Sequence, residues 1–284
     1  MRTAYKNPGG QEAVRRWCSE ALARAEFPLT SAAVDTSAGR VQLTSAGTGR
    51  PRVFIVPGTA SNAAVALPWL RALSARWATS VVDLPGQPGL SDPRRPRLAR
   101  LKWYGRVLDE VLVAAEADEV VLVGNSLGAA VTLAADSPRI AARALISPAG
   151  FIRLSVDPEL ALAAAVWLLR PTPEHTGRML RLFVAPGEDP PDTDVEWMTL
   201  MAACCRTTLS PPPLPAALVA SRAERPCVVG VGEHDRFLPP RRLAPALRRT
   251  MNIDLRVFSD MGHLTTPGHL DEVVSLLADV TDLL

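Results

Sequence analysis

Val120-Val121-Leu122-Val123-Gly124-Asn125-Ser126-Leu127-Gly128 is the stretch on which the reading of this chain turns. Four apolar residues in a row have the character of a strand buried on both faces. They run directly into a G-x-S-x-G string, and Leu127 to Ala135 then reads as a helix. A strand that turns so abruptly into a helix forces the residue at the bend into a strained conformation and projects its side chain, here the Ser126 hydroxyl, from the carboxyl edge of a sheet. Glycines two residues to either side leave room for the bend, and the first helical turn offers unpaired N–H groups. Ser126 is therefore the candidate nucleophile, and the Leu127 N–H is a candidate donor to a developing oxyanion.

The same texture extends outward. Val53-Phe54-Ile55-Val56 precedes Pro57-Gly58, Val81-Val82 precedes Asp83, and Ala144-Leu145-Ile146 precedes Ser147. Helix-length periodic stretches, Val65 to Trp77 and Lys102 to Ala115, lie between these runs. Strands alternating with helices define an α/β fold with a mostly parallel sheet covered on both faces. Upstream, Val34 to Ala46 alternates as an antiparallel hairpin does, and Gln11 to Phe27 sets Val14, Trp17, Ala21 and Leu22 on one helical face. Residues 1–30 thus form an amphipathic extension suited to cover the core or bind a partner.

After Gly150 the alternation stops for about seventy residues, too long for a plain connection. Asp157-Pro158-Glu159 supplies a helix start ahead of Leu160 to Leu169, Pro173 to Phe183 and Asp194 to Cys205 read as further helices, and Ser210-Pro211-Pro212-Pro213 reads as an extended exit. Residues 151–222 are expected to form a helical lid inserted into a core of 31–150 and 223–284. The strand pattern resumes at Cys227 to Val231 and Ile253 to Phe258, and an amphipathic helix, Leu270 to Leu283, closes the chain.

A serine hydroxyl needs a base, and the base needs an acid to hold its tautomer. Of four histidines, His175 falls in the inserted helices, His234 adjoins an aspartate, and His269 opens the last helix; His263, in Asp260-Met261-Gly262-His263, follows the last strand at the carboxyl edge. Asp235, in Gly232-Glu233-His234-Asp235, follows the preceding strand at the same edge. Asp83 is expected to bond within its own turn, Asp260 to cap the turn before His263, and Ser147-Pro148 puts no carboxylate after Ile146. The loop Val56-Pro57-Gly58-Thr59-Ala60 offers the Thr59 N–H as a second oxyanion donor.

Composition narrows the alternatives. The 284 residues are 48% hydrophobic, with mean hydropathy +0.11, enough for a substantial core. Basic and acidic residues, 31 against 29, nearly cancel, so there is no electrostatic footprint for nucleic acid. The longest apolar run, Leu160 to Leu169, is about half the roughly 20 residues of a spanning helix, and the first ten residues hold no secretory apolar segment, so a cytoplasmic location is expected. Cys18, Cys204, Cys205 and Cys227 have neither disulfide-framework nor zinc spacing, and no phosphate loop or nicotinamide fingerprint occurs, so no cofactor and no metal are expected. Arginine, alanine and proline usage points to GC-rich coding and an actinobacterial source.

The order Ser126, Asp235, His263, with Gly124-Asn125-Ser126-Leu127-Gly128, Gly232-Glu233-His234-Asp235 and Gly262-His263, resembles the alpha/beta-hydrolase superfamily from Val53 to Leu283. Within it, the amino-terminal helix and extended loop look most like a bacterial esterase or carboxylesterase branch. The resemblance implies about eight strands, a helical lid after the sixth, and a Ser-His-Asp triad. Three departures stand out: Pro57 replaces a usual histidine, the loop Asp83 to Ser91 is one residue longer than common, and Ala129 stands where glycine is frequent. The expectation is a serine hydrolase acting on an ester-type bond of a small, largely apolar substrate, with Asn62, Trp167, Trp197, Met198 and Met201 as candidate substrate contacts. Carbon-carbon bond hydrolysis, acyl transfer or cyclisation in secondary metabolism, and silent small-molecule binding remain alternatives, and the sequence does not distinguish monomer from homodimer.

Overall fold

The computed structural model describes residues 1–207 and 212–282. A two-residue strand β1 (Arg2–Thr3) precedes helix α1 (Pro8–Ala23). Asn7 accepts the Gly10 N–H and Pro8 occupies the first turn, which starts the helix ahead of the expected Gln11. The hairpin follows as β2 (Thr30–Thr36) and β3 (Gly39–Ala46). The alternating core then runs β4 (Val53–Val56), α2 (Leu67–Ser74), β5 (Thr79–Val82), β6 (Arg94–Arg95), α3 (Arg100–Ala114), β7 (Val120–Asn125), α4 (Leu127–Ala134) and β8 (Ile140–Ile146). Helices α5 (Pro158–Leu169), α6 (Pro173–Leu180), α7 (Asp192–Cys204) and α8 (Ala216–Ser221) are inserted before β9 (Cys227–Gly232), α9 (Pro240–Met251), β10 (Leu255–Phe258) and α10 (Leu270–Thr281) close the chain. Within the expected exit Ser210 to Pro213, Ser210 and Pro211 lie outside the described residues, as does Leu283 in the expected last helix.

The main sheet has eight strands in the order β10-β9-β8-β7-β4-β5-β3-β2. From β5 to β10 every pairing is parallel, and only the β2–β3 and β3–β5 pairings are antiparallel. This is the architecture that the resemblance to the alpha/beta-hydrolase superfamily implies. Alternation along β4 explains why the run is uniformly apolar: Phe54 and Val56 enter the core beneath α3 and α4, whereas Val53 and Ile55 enter the core beneath α2 and α10. Strand β7 lies between β4 and β8, so the bend at its carboxyl end, with Ser126, sits at the middle of the sheet edge. Carbonyls at the end of α4 are taken by buried Arg143, bonded to Thr132 and Ala135, and by Arg222, bonded to Leu133. Cations at a helix carboxyl end oppose its dipole and fix the helix that follows Ser126.

The amino-terminal extension packs with the insertion. Val14 and Cys18 of α1 share a cluster with Trp167, Met179, Leu180, Trp197 and Met201, and Trp17 stacks on Trp197 with centroids 4.8 Å apart. The insertion is therefore one roof with α1. No helix among the described residues is long and apolar enough to cross a membrane.

Candidate active site

Ser126 lies between β7 and α4 with φ 50° and ψ −113°. Such a conformation costs about 1–3 kcal/mol for a residue with a side chain and persists only where its surroundings enforce it. Here the Ser126 N–H donates to the Ile146 carbonyl (3.0 Å), and its own carbonyl accepts from Ala129 (3.1 Å) and Ala149 (3.1 Å). The flanking glycines are needed for close packing as well as for the turn. A Cβ at Gly128 would overlap the Val56 carbonyl, and one at Gly124 would stand 2.6 Å from Ala129 Cα. Absence of both lets α4 press onto β4 and β7.

Asp235 and His263 arrive from the loops after β9 and β10, beyond β8 along the edge. His263 Nε2 is 3.1 Å from Ser126 Oγ, and His263 Nδ1 is 2.8 Å from Asp235 Oδ2. Asp235 Oδ1 accepts the Phe237 N–H (2.9 Å) and the Leu238 N–H (2.8 Å), which fixes the carboxylate plane. Burial pushes the Asp235 carboxyl up, but the His263 charge and hydrogen bond, together with the Leu238 N–H, hold it below the ordinary carboxylate value. The two loops interlock: the His234 N–H donates to Met261 (2.9 Å), the Glu233 N–H to Phe258 (2.9 Å), and a Cβ at Gly232 would overlap the Met261 and Gly262 carbonyls. Phe237 meets the His263 ring edge-on at 4.8 Å, and Phe183 packs against Phe237 at the same distance. Asp235, His263 and Ser126 thus form one hydrogen-bonded chain, and Asp83 lies elsewhere.

The oxyanion-side loop passes close to the nucleophile. A Cβ at Gly58 would stand 3.4 Å from Ser126 Cβ and 2.9 Å from Asn125 Oδ1, so glycine lets the loop come this near without displacing the Asn125 amide. Ala60, at φ 57°, gives its N–H to Gln87 Oε1 (3.0 Å) and accepts the Trp197 indole N–H (2.7 Å). Between these anchors Thr59 is exposed, and neither its N–H nor that of Leu127 donates to another group among the described residues. Two free N–H groups flanking a serine hydroxyl can receive the negative oxygen of a tetrahedral adduct.

Other expected residues are used by the fold. Asn62 is buried; its Oδ1 accepts from Ala64 (2.9 Å) and Val65 (3.2 Å) and its Nδ2 donates to Pro88 (3.0 Å), so it caps its turn. Trp167, Trp197 and Met201 are buried in the cluster between α1 and the inserted helices, and Met198 is half-buried there. Asp83 bonds beyond its own turn: it accepts from Leu90 (2.9 Å) within the loop and from Ala63 (2.7 Å) on the oxyanion-side segment. Burial pushes its carboxyl up to about 6 against the pull of those two N–H groups.

Sequence reasoning passed over Gln87, Phe183, Phe237 and Tyr5. Gln87 sits in the loop Asp83 to Ser91, and its Nε2 donates to Tyr104 Oη (2.9 Å), so this loop carries the amide that braces Ala60. Tyr5 is buried in the extension, where its hydroxyl donates to the Gly89 carbonyl and accepts the Gly89 N–H, both at 3.1 Å. No local pattern announces these long-range bonds.

Residues 53–276 match the alpha/beta hydrolase family, and the chain belongs to it. It is a hydrolase enzyme with solved structural neighbours of that kind. Carboxylesterase CesB (YbfK) from Bacillus subtilis superposes with a TM-score of 0.77 at 18% identity, over 95% of this chain and 99% of that one. Naproxen esterase (carboxylesterase NP) from Bacillus subtilis gives 0.77 at 16% identity, over 98% of each chain. The meta-cleavage product hydrolase CumD from Pseudomonas fluorescens gives 0.70 at 19% identity, over 88% and 97%. No curated protein matches the sequence itself.

Proposed function

We propose that this protein is a serine esterase that cleaves an ester-type bond of a small, largely apolar substrate through an acyl-enzyme. The observation that carries the reading is the unbroken chain from Asp235 through His263 to Ser126 Oγ beside the free Thr59 and Leu127 N–H groups. His263 Nε2 takes the Ser126 proton as Oγ attacks the acyl carbon, and Asp235 holds the Nδ1 tautomer and stabilises the imidazolium. The Thr59 and Leu127 N–H groups receive the oxyanion, and losing one such donor typically costs about 2.7–4 kcal/mol of transition-state stabilisation. His263 then returns the proton to the leaving alcohol, and water attacks the acyl-enzyme by the same route in reverse.

Residues 151–222 act as a lid. Phe183 and Phe237 line the approach to His263 with apolar surface, which supports an apolar acyl or alcohol group, as do the carboxylesterases of similar fold. Turnover of p-nitrophenyl esters of two to ten acyl carbons by wild type and His263→Ala tests the reading. The expected result is turnover that rises from the shortest chain and falls at least about 10³-fold in the variant. Cleavage of a vinylogous diketone with no ester turnover would instead assign the same residues to carbon-carbon bond hydrolysis.

A further inference from the structure

The segment that follows β8 touches both ends of the catalytic chain. The Ile146 carbonyl accepts the Ser126 N–H, and the Ala149 N–H donates to the Ser126 carbonyl. Between them Ser147 is fully buried and held at φ 44°, with its N–H on the Gly230 carbonyl of β9 (2.8 Å), the strand from which Asp235 hangs. Glycine would adopt this left-handed conformation without strain; serine carries a Cβ and a hydroxyl into it. That hydroxyl makes no full hydrogen bond to any group among the described residues, an uncommon condition for a buried polar atom.

Asp235, on the loop that follows β9, has a matching deficit. An ionised carboxylate offers about four acceptor positions. Asp235 Oδ1 takes the Phe237 and Leu238 N–H groups, and among the described residues Oδ2 takes His263 Nδ1 alone. The Ser147 hydroxyl is also among the groups that favour the ionised form of Asp235.

We propose that Ser147 is a positioning residue of the catalytic chain, whose hydroxyl closes on the remaining lone pair of Asp235 Oδ2 during turnover and keeps that oxygen aligned with His263 Nδ1. The inference rests on the esterase reading. A donor on Oδ2 withdraws charge from the carboxylate and so weakens its hold on the imidazolium formed during turnover. Removing the hydroxyl therefore strengthens that hold, which moves the acid limb of the rate profile upward, and loosens the alignment of Oδ2. Charged groups on neighbouring elements are unchanged by such a variant: Arg236 is held by Asp157 and Glu159, Glu188 accepts the Thr266 hydroxyl, His234, Glu233 and Asp260 lie on the two catalytic loops, and α4 has no titratable side chain.

The test compares wild type, Ser147→Ala and Ser147→Gly in the pH dependence of kcat/KM for a soluble ester and of inactivation by a fluorophosphonate. Both variants lose the hydroxyl, but only glycine relieves the backbone strain, so their thermal stabilities differ while their kinetic changes agree. The expected result is an acid limb displaced upward by about half a unit in both, kcat lowered by about tenfold and KM unaltered. Profiles coincident with wild type in a folded variant would overturn the positioning role while leaving the esterase reading intact. A wild-type protein that turns over no ester and resists the fluorophosphonate would instead overturn that reading and this inference with it.

Discussion

At the carboxyl edge of the sheet, position is set by backbone: Gly128 against the Val56 carbonyl, Gly232 against Met261 and Gly262, Gly124 against Ala129. In the roof, position is set by long side chains reaching across the sequence. Lys6 Nζ donates to the Ala202 carbonyl, Trp197 Nε1 to the Ala60 carbonyl and Arg206 Nε to the Tyr5 carbonyl, while Tyr5 Oη bonds Gly89. Backbone-to-backbone fits tolerate no added atom, whereas a side-chain tether can be removed with the rest of its neighbourhood in place. The site floor should therefore fail abruptly and the roof gradually.

Gly128→Ala is the sharpest way to break that contrast. Its Cβ would meet the Val56 carbonyl with neither backbone free to move, so the expected destabilisation is at least about 3 kcal/mol in urea unfolding. An unfolding midpoint equal to wild type would mean that α4 can shift off β4 and that the edge is not rigid.

Asp83 joins the two styles, since a side chain there ties the oxyanion-side segment to the lengthened loop. Its folded value of about 6 lies above the ordinary 3.8, so on raising pH the unfolded chain releases its proton first. Stability from this group is accordingly present below about pH 4 and lost as pH rises through 6, by about 3 kcal/mol. Asp83→Asn should abolish that decline at the fixed expense of the Leu90 N–H bond. Parallel stability curves for variant and wild type between pH 4 and 7 would contradict the buried-carboxyl account.

Tyr5→Phe carries the smallest expected effect. Both Gly89 backbone groups lose their partner, which costs about 1–3 kcal/mol. Amide exchange should quicken across residues 83–95, with the loops of Asp235 and His263 as protected as before. Equal quickening at His263 would show that roof and floor unfold as one unit.

Legibility in the sequence follows the same division. Buried strands announce themselves because Val53 to Val56 and Val120 to Val123 must be apolar on both faces, and the bend at Ser126 needs glycines at fixed offsets. Asp235 and His263 each follow a strand at the shared edge, which a sequence pattern shows, and the structure brings them within hydrogen-bond reach of each other and of Ser126. The α9 helix went unread because Pro239-Pro240 and an internal Pro245 imitate a loop, and the β1–β6 pair because two residues carry no periodicity. Asn62 and Trp197 were read toward a ligand, yet their polar atoms are met by Pro88, Ala64 and Ala60. Which apolar face receives α1 depends on Trp197 and Met201, nearly two hundred residues away, and no local pattern encodes that pairing.

The central claim is that Ser126 is an activated nucleophile, and intact mass after exposure to a fluorophosphonate measures it directly. The account predicts a single phosphonyl adduct on wild type and none on folded Ser126→Ala. An unlabelled wild type, or an adduct that persists in the variant, would contradict it.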